Sequence, residues 1–235
     1  MALRALIFWK QYVISKKFDV GIAFDGDADR CLAVDGDGRE IDGDFLMAII
    51  ASDMKKNGKL RKNTVVGTVM TNLGFRKFCD ENEIRFIAAR VGDRYVLEIL
   101  NQEGYSFGGE QSGHIIIRDL STTGDGQLTA ITLLSIMKKS GKSLKELSAI
   151  MKKFPQHTVN ISATQSQKIA FFTDEKIKSV LENIEKQLEK RGRIVARPSG
   201  TEPVIRIMIE CDESNDAEMI ACNIADKIKA QLEKY

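Results

Sequence analysis

The sequence has little of what marks several large protein classes. Among its 235 residues are four cysteines, Cys31, Cys79, Cys211 and Cys222, dispersed and without a Cys-x-x-Cys pair. Neither a disulfide framework nor a zinc ribbon is expected, and the thiols read as buried in a reducing compartment. Charge of one sign is also missing: 35 Lys and Arg against 33 Asp and Glu leave a net +2. That balance offers no basic field for nucleic acid and no acidic excess that would favour disorder. No apolar run approaches the roughly 18 residues of a membrane span; even Ile205–Ile209 is broken by Arg206. The Ala5–Trp9 stretch is too short for a signal-peptide core. Repeats and low-complexity tracts are absent as well. The chain therefore reads as a cytoplasmic, soluble protein of one or two domains, with no nucleic-acid or membrane partner expected and its oligomeric state open.

What is present is an alternation of helical and strand-like segments. Leu3, Leu6, Ile7, Val13 and Ile14 at helical spacing predict a helix over Met1–Lys17. Strands are predicted at Val20–Phe24, Cys31–Val34, Thr64–Thr68 and Arg85–Ala89, and helices at Asp44–Asn57, Leu73–Glu83, Asp93–Glu103, Asp125–Lys139 and Leu144–Lys152. The last of these opens on Ser143-Leu-Lys-Glu146, a capping-box pattern. Proline cannot continue that helix, so a boundary is placed near Phe154-Pro155. Beyond it the pattern changes to strands at Thr158–Ala163, Arg193–Arg197 and Val204–Glu210, with helices at Asp174–Lys190 and Asn215–Lys234. The expected fold class is α/β: a layered domain with a mixed or parallel sheet, followed by a smaller α+β C-terminal domain.

Three loops carry chemistry. In Asp25-Gly26-Asp27-Ala28-Asp29-Arg30, three carboxylates alternate directly after an apolar strand. Their mutual repulsion calls for compensation, and a hard divalent cation with carboxylate oxygens supplies it. Three protein ligands leave open positions, which suits Mg²⁺ shared with a phosphate; the alternative is a solvated acidic turn. Asp35-Gly36-Asp37-Gly38 looks similar but reads as a hairpin turn. In Gly108-Gly109-Glu110-Gln111-Ser112-Gly113-His114, the glycines permit close backbone approach, while Glu110, Ser112 and His114 offer an acceptor, a hydroxyl and an imidazole. Such a trio suits sugar hydroxyls, and a plain polar hairpin is the competing reading. In Arg197-Pro198-Ser199-Gly200-Thr201-Glu202-Pro203, a guanidinium, two hydroxyls and a glycine-permitted amide nest suit a phosphate, with Arg206 as a possible second guanidinium. A proline–glycine turn is the plainer alternative. Finally, Arg90-Val91-Gly92-Asp93-Arg94-Tyr95 lies at a strand-to-helix turn, where Asp93 is either a helix cap or a ligand contact.

In this order, the three loops resemble the metal, sugar and phosphate loops of the α-D-phosphohexomutase family. The Gln of Gly-Glu-Gln-Ser-Gly-His and the Val91–Tyr95 segment are similar to its amino-sugar branch rather than to the phosphomannomutase/phosphoglucomutase branch. The likeness runs from about Asp19 to the C-terminus. It implies a glucosamine phosphate as substrate, Mg²⁺ as cofactor, and phosphoryl transfer through a phosphoserine and a bisphosphate intermediate, in proteins of four domains around one cleft. On that reading, residues 1–42 are the end of a truncated α/β domain carrying the metal loop. Residues 43–153 are the sugar-binding domain and residues 154–235 the phosphate-binding domain. The resemblance assigns Asp25, Asp27 and Asp29 to the metal and Arg30 to a place beside the transferred group. It assigns Glu110 and Ser112 to sugar hydroxyls, and Arg197, Ser199, Gly200 and Thr201 to a phosphate. Asp93 and His114 are candidates for the general base. No Thr-Ala-Ser-His-Asn-Pro-type serine loop occurs in the 235 residues, so this chain alone is not expected to turn over substrate. Competing readings are a non-catalytic module binding sugar phosphate and Mg²⁺, phosphomannomutase/phosphoglucomutase specificity, and a metal-dependent phosphatase with Asp25 as nucleophile.

Overall fold

The computed structural model describes residues 2–189 and 191–235, without the side chains of residues 2–7. Met1 and Lys190, at the ends of two predicted helices, lie outside the described residues, as does the apolar face assigned to Leu3, Leu6 and Ile7. The chain divides into two compact units, 1–152 and 153–235.

Unit 1 begins with α1 (Ala2–Lys16). It is followed by an antiparallel sheet of β1 (Val20–Phe24), β2 (Cys31–Asp35) and β3 (Glu40–Ile41). The β2–β3 turn is the hairpin predicted at Asp35–Gly38: the Asp35 carboxylate accepts from the Asp37 and Arg39 amides, and Gly38 takes φ 82°. This is a position that favours glycine. Helix α2 (Gly43–Lys56) is capped by Asp42, whose carboxylate accepts from the Asp44 and Phe45 amides. It is buried along nearly its whole length and joins the two sheets of the unit. The second sheet has the order β5-β4-β6-β7, formed by β4 (Thr64–Thr68), β5 (Arg85–Ala89), β6 (Phe107–Gly109) and β7 (Ile115–Ile117). Its first three strands are parallel and β7 is antiparallel to β6, which makes it a mixed sheet. Helices α3 (Leu73–Glu81), α4 (Asp93–Glu103), α5 (Gly126–Ser140) and α6 (Leu144–Ser148) complete the unit.

The strands that flank the acidic loop share one core with the rest of unit 1: Cys31, Ala33 and Ile41 pack with Phe45, Leu46, Phe75 and Phe107. Helix α6 carries the predicted Ser143/Glu146 capping box but ends at Ser148, short of the predicted Lys152. There the chain leaves the helix and passes α3, where Gly74 makes room for the Lys152 carbonyl; a Cβ would lie 2.1 Å from that oxygen.

Unit 2 is an α+β layer. Its antiparallel sheet has the order β8-β10-β9, from β8 (Gln156–Ser162), β9 (Gly192–Pro198) and β10 (Val204–Cys211). Helices α7 (Gln165–Thr173), α8 (Glu175–Leu188) and α9 (Ser214–Leu232) cover it. Its core joins Ile205, Ile207 and Ile209 of β10 to Ala221, Ile224 and Ile228 of α9. Helix α7 is not predicted from the sequence pattern; its signature is the Thr164/Gln167 capping box. Among the described residues, no helix is long and apolar enough to cross a membrane.

Candidate functional site

In unit 1 the acidic loop, the Gly108–His114 loop and the Arg90–Tyr95 turn converge. The acidic loop connects two paired strands, so its ends are fixed by the β1–β2 ladder. Between them Ala28 adopts φ 58°, a conformation that disfavours any residue but glycine by about 1–2 kcal/mol. The strained turn is held from both sides. The Ala28 amide donates to the Asp25 carbonyl at 3.3 Å, and the Ala28 carbonyl accepts from the Gly126 amide at 3.0 Å. Each such bond contributes about 1 kcal/mol net, which offsets the strain. The result gathers ligand oxygens of Asp25, Asp27 and Asp29 within 4.8 Å of one another.

Three carboxylates so close repel. Desolvation pushes the Asp29 carboxyl up, the Asp25 and Asp27 charges add to this, and His114 opposes it. For Asp25 desolvation acts in the same direction, but the Arg30 amide, the Asp29 carboxyl and the Arg30 guanidinium outweigh it and hold the group below its usual value. Arg30 Nε stands 3.5 Å from Asp25 Oδ2 and 3.8 Å from Asp29 Oδ1. Asp29 Oδ1 is buried and accepts no hydrogen bond. A buried carboxylate oxygen without a donor, beside two more carboxylates, fits a hard divalent cation, which such oxygens can hold.

The Gly108–His114 loop is the β6–β7 hairpin, so the polar-hairpin reading and the ligand reading describe the same object. Its tip is locked by the Glu110 amide donating to the His114 carbonyl and the Gly113 amide to the Glu110 carbonyl. Gly113, at φ 93°, lies so close to the acidic loop that a Cβ would be 2.2 Å from the Cys31 carbonyl. Its own carbonyl accepts from the Cys31 amide, and Arg30 and His114 form an antiparallel bridge. Gly43 at the start of α2 packs as tightly on the other side, where a Cβ would lie 2.1 Å from the Glu110 carbonyl.

His114 is 2% exposed, and neither ring nitrogen makes a hydrogen bond. Its Nε2 is 3.5 Å from Asp29 Oδ2 and 3.9 Å from Asp93 Oδ2. The predicted site residues Asp29, Asp93 and His114 thus come together, although they belong to three separate segments. Asp93 is not a helix cap: Gly92 is the N-cap of α4, with φ 126° and no side-chain cap. Asp93 is the first helical residue, where its charge suits the helix dipole. Glu110 reaches the same turn, its Oε1 accepting from the Gly92 amide at 3.0 Å. Ser112 lies exposed at the hairpin tip. Tyr95 is flanked by two guanidinium groups, Arg90 at 4.6 Å and Arg94 at 4.5 Å from the ring centre.

In unit 2, the Arg197–Pro203 loop joins β9 to β10. The Ser199 amide donates to the Val204 carbonyl, and Ser199 Oγ accepts from the Glu202 amide. Gly200 and Thr201 are exposed at the apex. Arg197 and Arg206 are directly opposite on paired strands, where like charges destabilise each other. Burial, then the Arg206 charge, pulls the Arg197 guanidinium below its ordinary value, yet arginine remains charged near neutrality. Arg206, the second guanidinium read from the sequence, pairs with Glu202. Lys168 on α7 carries no signal in the sequence pattern. Its Nζ donates to the Ser199 and Glu202 carbonyls at 2.7 and 2.6 Å, pinning both ends of the loop apex.

Residues 42–154 match domain III, the alpha/beta/alpha domain, of phosphoglucomutase/phosphomannomutase, and residues 136–227 match its C-terminal domain. The chain belongs to this phosphohexomutase family. It is 51% identical over 223 residues to a phosphoglucosamine mutase of Caldanaerobacter subterraneus, a match covering 95% of this chain and 50% of that protein. With a phosphoglucosamine mutase of Clostridium kluyveri, the identity is 49% over 220 residues, or 94% of this chain and 49% of that one. The chain thus spans about half the length of the curated relatives it matches. In fold it is similar to a phosphoglucomutase/phosphomannomutase family protein from Burkholderia thailandensis, with TM-score 0.79, 18% identity, and 98% of this chain and 50% of that one covered. An Aspergillus fumigatus N-acetylphosphoglucosamine mutase, solved with GlcNAc-6P and magnesium, has TM-score 0.69 and 19% identity over 94% of this chain and 52% of that one.

Proposed function

We propose that this chain supplies the metal-, sugar- and phosphate-binding groups of a phosphoglucosamine mutase, which interconverts glucosamine 6-phosphate and glucosamine 1-phosphate. The observation that carries this reading is the cluster in unit 1. Three carboxylates lie within 4.8 Å of one another, and one of them lies 3.5 Å from a buried imidazole on the Gly108–His114 hairpin. The approximately 50% identity to named phosphoglucosamine mutases supports the amino sugar as substrate over other hexoses.

In this reading Asp25, Asp27 and Asp29 hold Mg²⁺, which when bound neutralises charge on the phosphoryl group in transfer. Arg30, already beside Asp25 and Asp29, faces the transferred group. Glu110 and Ser112 take sugar hydroxyls. Arg197, with Ser199, Gly200, Thr201 and Arg206 around it, grips a phosphate, because two opposed guanidiniums, one of them paired with the Glu202 carboxylate, leave positive charge for an anion. Asp93 and His114, 3.9 Å apart, are the pair from which a proton acceptor is drawn. A fixed phosphate grip supplies positioning and the carboxylate cluster supplies electrostatics. The phosphoryl group moves from a phosphoserine to the free hydroxyl of the sugar monophosphate. The other phosphate of the resulting bisphosphate then returns to the serine. No serine loop of that type occurs in the 235 residues, so turnover requires a polypeptide that carries one.

The test is calorimetric titration of the chain with glucosamine 1,6-bisphosphate, with and without Mg²⁺, repeated on Arg197→Ala. Binding that is lost in the variant is the expected result. If the folded chain binds glucose 1,6-bisphosphate as tightly as the glucosamine compound, the amino-sugar assignment fails. If Arg197→Ala binds like the unmutated chain, the assignment of the phosphate grip fails.

A further inference from the structure

We propose that Gly124, Asp125 and Gly126, the segment leading into α5, are positioning residues for the acidic loop. Side-chain chemistry at the loop alone does not account for its shape. The segment is pressed against the acidic loop at Gly126 and against the His114 ring at Gly124, two points that only glycine allows. A Cβ on Gly126 would lie 2.5 Å from the Arg30 carbonyl and 2.8 Å from the Ala28 carbonyl. A Cβ on Gly124 would lie 2.2 Å from His114 Nε2 and 2.4 Å from Cε1, so the buried imidazole occupies the space that glycine leaves.

Asp125 sets the direction of approach. Its carboxylate accepts from the Leu128 amide at 2.8 Å, capping α5, and its amide donates to the Ile115 carbonyl of β7 at 3.3 Å. The next amide, Gly126, then donates to the Ala28 carbonyl at 3.0 Å. Ala28 is the loop's left-handed residue, at φ 58°, and lies between Asp27 and Asp29. A single backbone hydrogen bond from α5 thus sets the turn on which two of the three carboxylates depend. Gly124 in parallel places the ring that faces Asp29. The segment acts through the loop and touches no reacting atom.

The inference rests on the metal reading only for one of its two measurements. The first needs no metal. In Gly126→Ala, and in Asp125→Ala, which removes the cap without adding a clash, the Ala28, Arg30 and Cys31 amides should exchange with solvent at least about tenfold faster. The control is Leu133→Ala, a buried α5 residue far along the helix, compared at a matched loss of melting temperature. Unchanged exchange at these amides, or an equal acceleration in Leu133→Ala, overturns the inference. The second measurement is Mn²⁺ affinity by calorimetry. It should weaken at least about tenfold in Gly126→Ala and Gly124→Ala and hold in Leu133→Ala. Variants that bind Mn²⁺ like the unmutated chain overturn the inference. An unmutated chain that binds no Mn²⁺ instead defeats the metal reading, and amide exchange alone then decides the positioning role.

Discussion

The acidic loop of unit 1 and the proposed phosphate loop of unit 2, Arg197–Pro203, are built on opposite plans. Around the acidic loop and the hairpin beside it, three segments close in, and glycine stands at each approach: Gly43, Gly113, and Gly124 with Gly126 would each bring a Cβ within 3 Å of a neighbour. The Arg197–Pro203 loop is held by short-range bonds within itself and one lysine from outside, and Gly200 at its apex has nothing within 4 Å. The difference reflects the load each must hold. Carboxylates gathered against their own repulsion need a frame that cannot relax. The phosphate grip proposed for unit 2 relies on guanidinium charge, which needs direction but little compression.

The sharpest way to break this contrast is Gly113→Ala. The added methyl meets the Cys31 carbonyl at 2.2 Å from a backbone at φ 93°, so unit 1 should lose more than about 2 kcal/mol. Trp9 is the sole tryptophan and lies in unit 1, so its fluorescence in a urea titration reports this unit. An unfolding midpoint within error of the unmutated chain would refute the frame described for the acidic loop. Asp29→Asn tests the contents of that frame rather than its walls. It should weaken Mn²⁺ by at least about tenfold while leaving the Trp9 transition in place.

Much of this is legible in the sequence, and the gaps have physical causes. Helix α4 is bounded by Gly92 and Gly104, so Asp93–Glu103 can be read residue by residue. The acidic, sugar and phosphate loops are visible because charged and glycine-rich runs between apolar strands are rare. Helix α7 is not, because its capping box, Thr164 to Gln167, precedes only nine residues. Lys168 is lost with it, since a lone lysine signals nothing until the fold shows two carbonyls within its reach. Glu202 reads as part of the Arg197–Pro203 loop, and its pairing with Arg206, four residues on, emerges only once the loop is folded. Gly124 and Gly126 look in sequence like ordinary residues before a helix; their role depends on what α5 is pressed against.

In unit 2 the expected effects are smaller. Lys168→Met should lower stability by about 1 kcal/mol, the scale of exchanging protein hydrogen bonds for water. It should also weaken bisphosphate binding, read in the same calorimetric titration. A variant with unchanged affinity would show that the loop needs no external clamp. Acid sensitivity should centre on Asp174, which caps α8. The Gln231 side chain first, then the Ile177, Tyr235 and Lys176 donors, hold its carboxyl down from 3.8 to about 2 against desolvation. A depressed carboxyl stabilises the fold above its unfolded value, and that contribution is lost as pH falls from about 4 towards 2. Asp174→Asn should therefore flatten the stability of unit 2 across this window, followed by circular dichroism melts at pH 7, 4 and 2. An equally steep acid limb in the variant would move the sensitivity elsewhere.

The smallest effect is the most pointed comparison. Gly200→Ala places a methyl where nothing lies within 4 Å, and Gly200 is absent from the residues with positive φ. Stability should change by no more than about 0.5 kcal/mol, against the collapse expected of Gly113→Ala. Any role of Gly200 must then lie in approach of the ligand, since the fold does not need it. Bisphosphate affinity that falls while the melting temperature holds would show a glycine kept for the bound phosphate. If affinity and melting temperature both hold, Arg197 carries the grip with side-chain charge alone. A fall in melting temperature comparable to that of Gly113→Ala would mean that the phosphate loop is framed as tightly as the acidic one, and the contrast between the two units would be lost.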